Sequence, residues 1–212
     1  TKQEALNNSI KAKAVDYIAG EMLPMIAAVV DPVCRCELAA DDPHALNVIY
    51  PAAFSDAYLR PEVRLEIGPL AAWMPYDTFR IRPYAAEAFP QLFRRADCAV
   101  HATRAERTFW EKATILHHEA NRPAGNMQPP RYSRHYYDLA MMSAAPVKDA
   151  ALADLALLAD VVAFKARFYP RGWAQYDQAK PGTFKLLPSG QVLATVEKDY
   201  EQMRNMIFGR YP

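Results

Sequence analysis

Residues 104–139, RAERTFWEKATILHHEANRPAGNMQPPRYSRHYYDL, decide how the chain is read. Phe109, Ala113, Leu116 and Ala120 recur at helical spacing, and Pro123, Gly125, Pro129 and Pro130 then forbid continuation. The spacing therefore predicts a helix, a Pro/Gly-rich loop and a second helix that restarts after Ser133. That serine is expected to cap the first turn, with Tyr136, Tyr137, Leu139, Ala140 and Met141 supplying apolar surface.

Within the first helix Lys112 is the unusual residue. Phe109 lies three positions before it and Ile115 and Leu116 three and four after, so it falls on or beside the stripe facing the protein. Two readings fit: an apolar stem along the core with the ammonium in water, or a lysine aimed into a cleft toward anionic oxygens. Asp138 on the second helix also has an ordinary explanation. Arg134 precedes it by four residues and could pair with it at the surface.

Taken together, the run E-R-T-F-W-E-K-A-x-x-L-H (Glu106 to His117) and the run R-x-S-R-H-Y-Y-D-L (Arg131 to Leu139) resemble the AbiEii/AbiGii family of toxins. These belong to the polymerase-β-like nucleotidyltransferase superfamily. The resemblance extends upstream to YLRPEVRLEIG (Tyr58 to Gly68) and downstream to DYEQMRNMIFG (Asp199 to Gly209). It implies catalytic roles for Lys112 and Asp138, and a metal-binding carboxylate at the end of a strand, a place that Glu66 fits. Arg107, His117, Arg131, Arg134 and His135 are the expected contacts to nucleotide or other substrate.

The resemblance implies transfer of a nucleotide from a nucleoside triphosphate, with Mg2+, to an acceptor such as tRNA. It also implies a bacterial toxin–antitoxin setting with a cognate antitoxin as partner. One departure stands out. Such enzymes use a Gly-Ser or Gly-Thr turn followed by two acidic residues one position apart, which hold the phosphate-bridging metals. Ser189-Gly190 has the wrong order, and the adjacent Asp41-Asp42 would point to opposite faces of a strand. Because the chain opens on Thr1 and runs straight into a helical pattern, the missing motif is expected in a preceding segment, making this chain an inactive fragment. The competing expectation is a non-catalytic interaction or regulatory module derived from the same fold.

The rest of the chain frames that region. At 212 residues, 51% hydrophobic and 23% charged, it can bury a good core. A net charge of +1 gives no global pull toward polyanions, so any such site must be a local patch. Arg80, Arg82, Arg94, Arg95, Arg122, Arg131 and Arg134 offer one. No apolar run approaches the ~20 residues that span a bilayer, no signal peptide is visible, and three cysteines cannot all pair internally, which together point to the cytoplasm. Cys34-Arg-Cys36 lacks zinc spacing and reads as ordinary thiols.

Residues 2–19 read as a helix ended by Gly20, with Ala5, Leu6, Ile10, Ala14, Val15 and Ile18 as its stripe, followed by a second helix to Val30. Period-two patterns over 33–38, 46–50 and 58–67 predict short, mostly antiparallel strands; Glu62, Arg64 and Glu66 then share a face that is either solvent or cleft. Stretches 81–89 and 98–103 add one or two strands. Residues 147–168 read as one helix and 192–208 as a last one. The expected architecture is α+β: residues 1–103 as a partial nucleotidyltransferase-like core with a small, mostly antiparallel sheet, and 104–212 as a helical bundle carrying the lysine and aspartate.

Overall fold

The period-two segments near the start form a three-stranded antiparallel sheet in the computed structural model, which describes residues 1–54, 60–188 and 190–203. Strand β1 (Arg35–Leu38) pairs with β2 (Ala45–Ile49), and β2 with β3 (Glu62–Glu66), in the register Leu38↔Leu46↔Leu65. The middle strand carries the burial, with Ala45 and Leu46 nearly inaccessible. On β3, Arg64 bonds Asp41 at 3.0 Å and lies 3.3 Å from Glu66, so the polar face is a braced ion-pair surface. Tyr58, at the start of the expected third strand, and Ser189 lie outside the described residues, as does the chain beyond Met203 that includes Met206, Ile207 and Phe208.

Before the sheet, α1 (Lys2–Tyr17) does not stop at Gly20. The chain passes through a π-helical turn, Ile18–Met22, into α2 (Leu23–Ala27). Gly20 does not take the left-handed conformation that would end a helix, and Pro24 sits in the first turn of α2, where its missing N–H costs no bond. Of the expected stripe only Ile18 is buried.

The chain divides into two compact units, Thr1–Ala71 and Ala72–Pro212. This division differs from a boundary at 103/104 by the two-stranded sheet β4 (Tyr76–Ile81) and β5 (Cys98–Thr103), paired antiparallel from Tyr76↔Thr103 to Ile81↔Cys98. That sheet is tied to the following helix, since the Arg104 N–H donates to Pro75 O at 3.0 Å. The strand expected over 81–89 ends at Ile81. Pro83 fixes the turn that starts α3 (Tyr84–Ala88), whose YAAEA sequence favours helix.

The second unit is otherwise helical: α4 (Ala105–Ala120), α5 (Ser133–Ser143), α6 (Val147–Ala153), α7 (Leu155–Phe168) and α8 (Gln191–Gln202). The single helix expected over 147–168 is two. Asp154 breaks it and caps α7, its carboxylate accepting the Leu157 N–H at 3.0 Å. Phe109, Trp110, Ala113 and Leu116 of α4 pack with Leu139, Ala151, Leu157, Leu158 and Val161 in one core. The Trp110 indole N–H donates to Ala151 O at 3.1 Å, which satisfies the one polar group its burial would strand. The protein is thus α+β, with small antiparallel sheets and a helical bundle built around α4.

Candidate functional site

Helix α4 buries its Phe109–Ala113–Leu116 stripe and so fixes where its other residues point. Lys112 sits at the stripe's edge, with its side chain 20% exposed. Its ammonium donates to Asp138 Oδ2 at 2.6 Å and to His135 Nδ1 at 3.1 Å. His135 and Asp138 are three apart on α5, hence on one face, and Leu139 beside them anchors that helix in the core. Lys112 therefore turns toward α5, and Asp138 takes it rather than Arg134 as its close partner.

Since the lysine donates to Nδ1, the histidine proton belongs on Nε2. Burial, together with the charges of Lys112 and Arg134, pushes the His135 pKa down to about 4, so the ring is neutral at physiological pH. The Lys112 and Asp138 side chains thus meet a neutral imidazole, with Arg134 exposed on the same helix.

The amino end of α5 is set from outside the expected motif. Ser133 does not cap its helix; Tyr132 holds the cap position without a side-chain bond. Asp199 of α8 supplies the cap instead, its carboxylate accepting the N–H groups of Arg131 at 2.8 Å and Ser133 at 2.9 Å. Ser133 is fully buried, and its hydroxyl faces Met203 sulfur at 3.8 Å. Arg131 is exposed and left-handed, with φ 66°, so its backbone turns the chain into α5 while its side chain faces water.

Two other expected substrate contacts have framework positions. Arg107 is 4% exposed; it donates to Met74 O at 2.6 Å and Glu111 Oε1 at 2.9 Å, and lies over the Phe164 ring. His117 is fully buried: its Nδ1 accepts the Lys185 N–H and its Nε2 donates to Gln175 O, each at 3.0 Å. Both tie α4 to later or earlier backbone, which leaves neither a face for a ligand. Glu66, expected as a metal ligand, lies exposed on β3 of the first unit beside Arg64. Among the described residues no three His, Cys, Asp or Glu side chains gather as a metal cluster, so these residues do not by themselves fit a magnesium centre.

Sequence reasoning missed Asp199 and Lys165. A helical aspartate sixty-six positions from the end that it caps leaves no local signal. Lys165 reads as an ordinary basic residue in the last turn of a helix, yet its ammonium reaches back to the Glu111 carbonyl at 3.1 Å.

Fold and cluster define an α+β protein in which a lysine of α4 meets a carboxylate and a neutral imidazole of α5. A family model described as "Nucleotidyl transferase AbiEii toxin, Type IV TA system" matches residues 1–212, and the chain belongs to that family. No match is found among curated proteins or among solved structures. No helix of the described residues is long and apolar enough to cross a membrane.

Proposed function

We propose that this chain serves nucleotidyl transfer from a nucleoside triphosphate to an acceptor such as tRNA, as the toxin of a toxin–antitoxin pair acting in the cytoplasm. The observation that carries the reading is the Lys112–Asp138 contact at 2.6 Å between helices α4 and α5. A lysine held by a carboxylate is pre-positioned, and its remaining proton can meet a phosphate oxygen on which charge develops during transfer. Asp138 orients that lysine or takes the proton of the acceptor hydroxyl. The neutral His135 stands within bonding distance of the same ammonium, and Arg131 and Arg134 offer exposed charge to a phosphate backbone. A cognate antitoxin is the expected macromolecular partner.

Magnesium is the ion this reaction class calls for, and Glu66 remains the candidate ligand that the resemblance offers. The described residues do not gather a metal cage, so the 212-residue chain is expected to be silent on its own. That same observation favours a second reading, a non-catalytic interaction module of the same fold.

Incubating the purified chain with labelled nucleoside triphosphates, magnesium and total tRNA tests both. Label on tRNA that disappears in Lys112→Ala and Asp138→Asn supports catalysis by this chain and overturns its expected silence. Triphosphate binding without label, weakened in both variants, supports a nucleotide site that needs further carboxylates. Neither binding nor label supports the interaction module.

A further inference from the structure

Lys112 Nζ is held at two points. It donates to Asp138 Oδ2 at 2.6 Å and to His135 Nδ1 at 3.1 Å, and among the described residues it has no other acceptor. An ammonium carries three protons, so one N–H remains, and the two contacts fix the direction in which it points. The anchors differ in charge. Asp138 is ion-paired with the lysine, whereas His135, 8% exposed, is kept neutral by burial. A second carboxylate in place of the imidazole would outnumber the lysine and repel a phosphate; a neutral acceptor orients the lysine without cancelling its charge. The imidazole is itself held. Its ring meets the Tyr132 ring edge-on, with centroids 5.0 Å apart and 87° between the planes, and its backbone N–H donates to Tyr132 O at 3.0 Å. Tyr132 lies between Arg131 and Ser133, whose N–H groups are both taken by Asp199 at 2.8 and 2.9 Å. The turn that carries Tyr132 is therefore braced by α8, and His135 follows within the first turn of α5.

We propose that His135 is a positioning residue: with Asp138 it pins Lys112 so that the lysine offers one N–H, in one direction, to a single phosphate oxygen of the nucleotide. The imidazole acts through the lysine and does not touch the ligand. This rests on the reading of Lys112 as a phosphate contact, and it moves His135 out of the expected substrate contacts. A lysine otherwise has a flexible four-carbon stem. Fixing that stem before the ligand arrives removes an ordering cost that binding would carry.

Titration calorimetry of the 212-residue chain with magnesium-free tripolyphosphate reads the affinity, and urea unfolding checks that each variant is folded. Histidine carries Nδ1 on Cγ, where asparagine carries its amide oxygen, whereas a glutamine amide reaches to the place of Nε2. His135→Asn should therefore keep the affinity within about threefold, while His135→Gln and His135→Leu should lower it about tenfold. In a Lys112→Met background His135→Leu should have no further effect, since a residue that acts through the lysine has nothing left to act on. A glutamine variant that binds more tightly than the asparagine one would show that the imidazole meets the ligand through Nε2, and would overturn the proposal. So would a loss from His135→Leu that is undiminished in the Lys112→Met background, the mark of a ring that only packs against Tyr132. If Lys112→Met weakens binding while His135→Leu does not, the positioning role is wrong and the lysine contact stands. If the wild-type chain does not bind, or Lys112→Met binds as well as wild type, the phosphate-contact reading falls and takes this proposal with it.

Discussion

Asp199 on α8 holds the first turn of α5 by accepting the Ser133 N–H at 2.9 Å, across sixty-six positions of chain. The end of the helix that presents His135 and Asp138 is thus fixed by a helix late in the sequence. Replacing Asp199 with alanine should cost about 1–2 kcal/mol in urea unfolding, the usual worth of a helix cap. Burial pushes this carboxyl up, but the bonds from Ser133 and Arg131 outweigh it and leave the pKa below its ordinary 3.8. A depressed carboxylate contributes stability above the unfolded value and loses it as pH falls through the folded one. The wild-type and Asp199→Ala curves should therefore converge below pH 4.

Two histidines set a second pH dependence. Burial is the main cause that brings both His118 and His135 down to about 4 from 6.5. The unfolded chain then binds more protons than the folded one between those values, so stability should rise with pH from 4 to 6.5 and level off above. Each histidine contributes a slope of up to about 1.4 kcal/mol per pH unit. Melting temperature against pH measures it, and His118→Gln should flatten the slope without touching the Lys112–Asp138 contact. A flat profile from pH 4.5 to 6.5 in the wild type would falsify the buried neutral state of both rings.

The sequence made α4 and α5 legible because their apolar residues repeat at helical spacing and prolines bound the loop. The first sheet was legible because its strands alternate. Long-range bonding was not. Asp199 caps a helix sixty-six positions away, outside any local window, while Asp154, whose partner Leu157 is local, splits a helix against an unbroken apolar periodicity. Of the residues read as site contacts, Lys112, His135 and Asp138 come together in the second unit, whereas Arg107 and His117, expected to contact substrate, bond backbone instead. Nothing in a sequence distinguishes an arginine that faces a phosphate from one that faces Met74 O.

The carboxyl end of α4 carries a buried ion pair whose disruption should be the largest of these effects. Glu119 is 1% exposed and takes both its bonds from Arg122, at 2.7 and 2.8 Å, while the guanidinium lies over the Trp173 ring at 4.7 Å. Removing Arg122 strands an uncompensated carboxylate and uncovers the indole. Arg122→Ala should cost about 3–5 kcal/mol, as breaking one side of a buried pair does. The double change Glu119→Gln with Arg122→Met should recover part of that loss. Chemical denaturation of the three proteins decides it, and an Arg122→Ala cost under 1 kcal/mol would show that water reaches Glu119.

The loop from Asn121 to Tyr132 should exchange its amide hydrogens at two very different rates. Its composition, NRPAGNMQPPRY, places Met127 at 72% exposure and gives Gly125 a φ of 87°, so its middle has little apolar cover. Its amino end is tied by Asn121 to the His117 carbonyl at 2.9 Å, and its carboxyl end by the Arg131 N–H to Asp199 at 2.8 Å. Ala124, Gly125 and Met127 should therefore exchange within the dead time of a manual experiment, while Arg131 and Ser133 stay protected. Asp199→Ala should release Arg131 and Ser133 and leave the amides of α4 unchanged, because that helix is held by its own core. Binding of tripolyphosphate should slow the middle of the loop if it closes over Lys112. Protection throughout the ligand-free loop would overturn its uncovered middle, and fast exchange at Arg131 in the wild type would show that Asp199 does not fix the entry to α5.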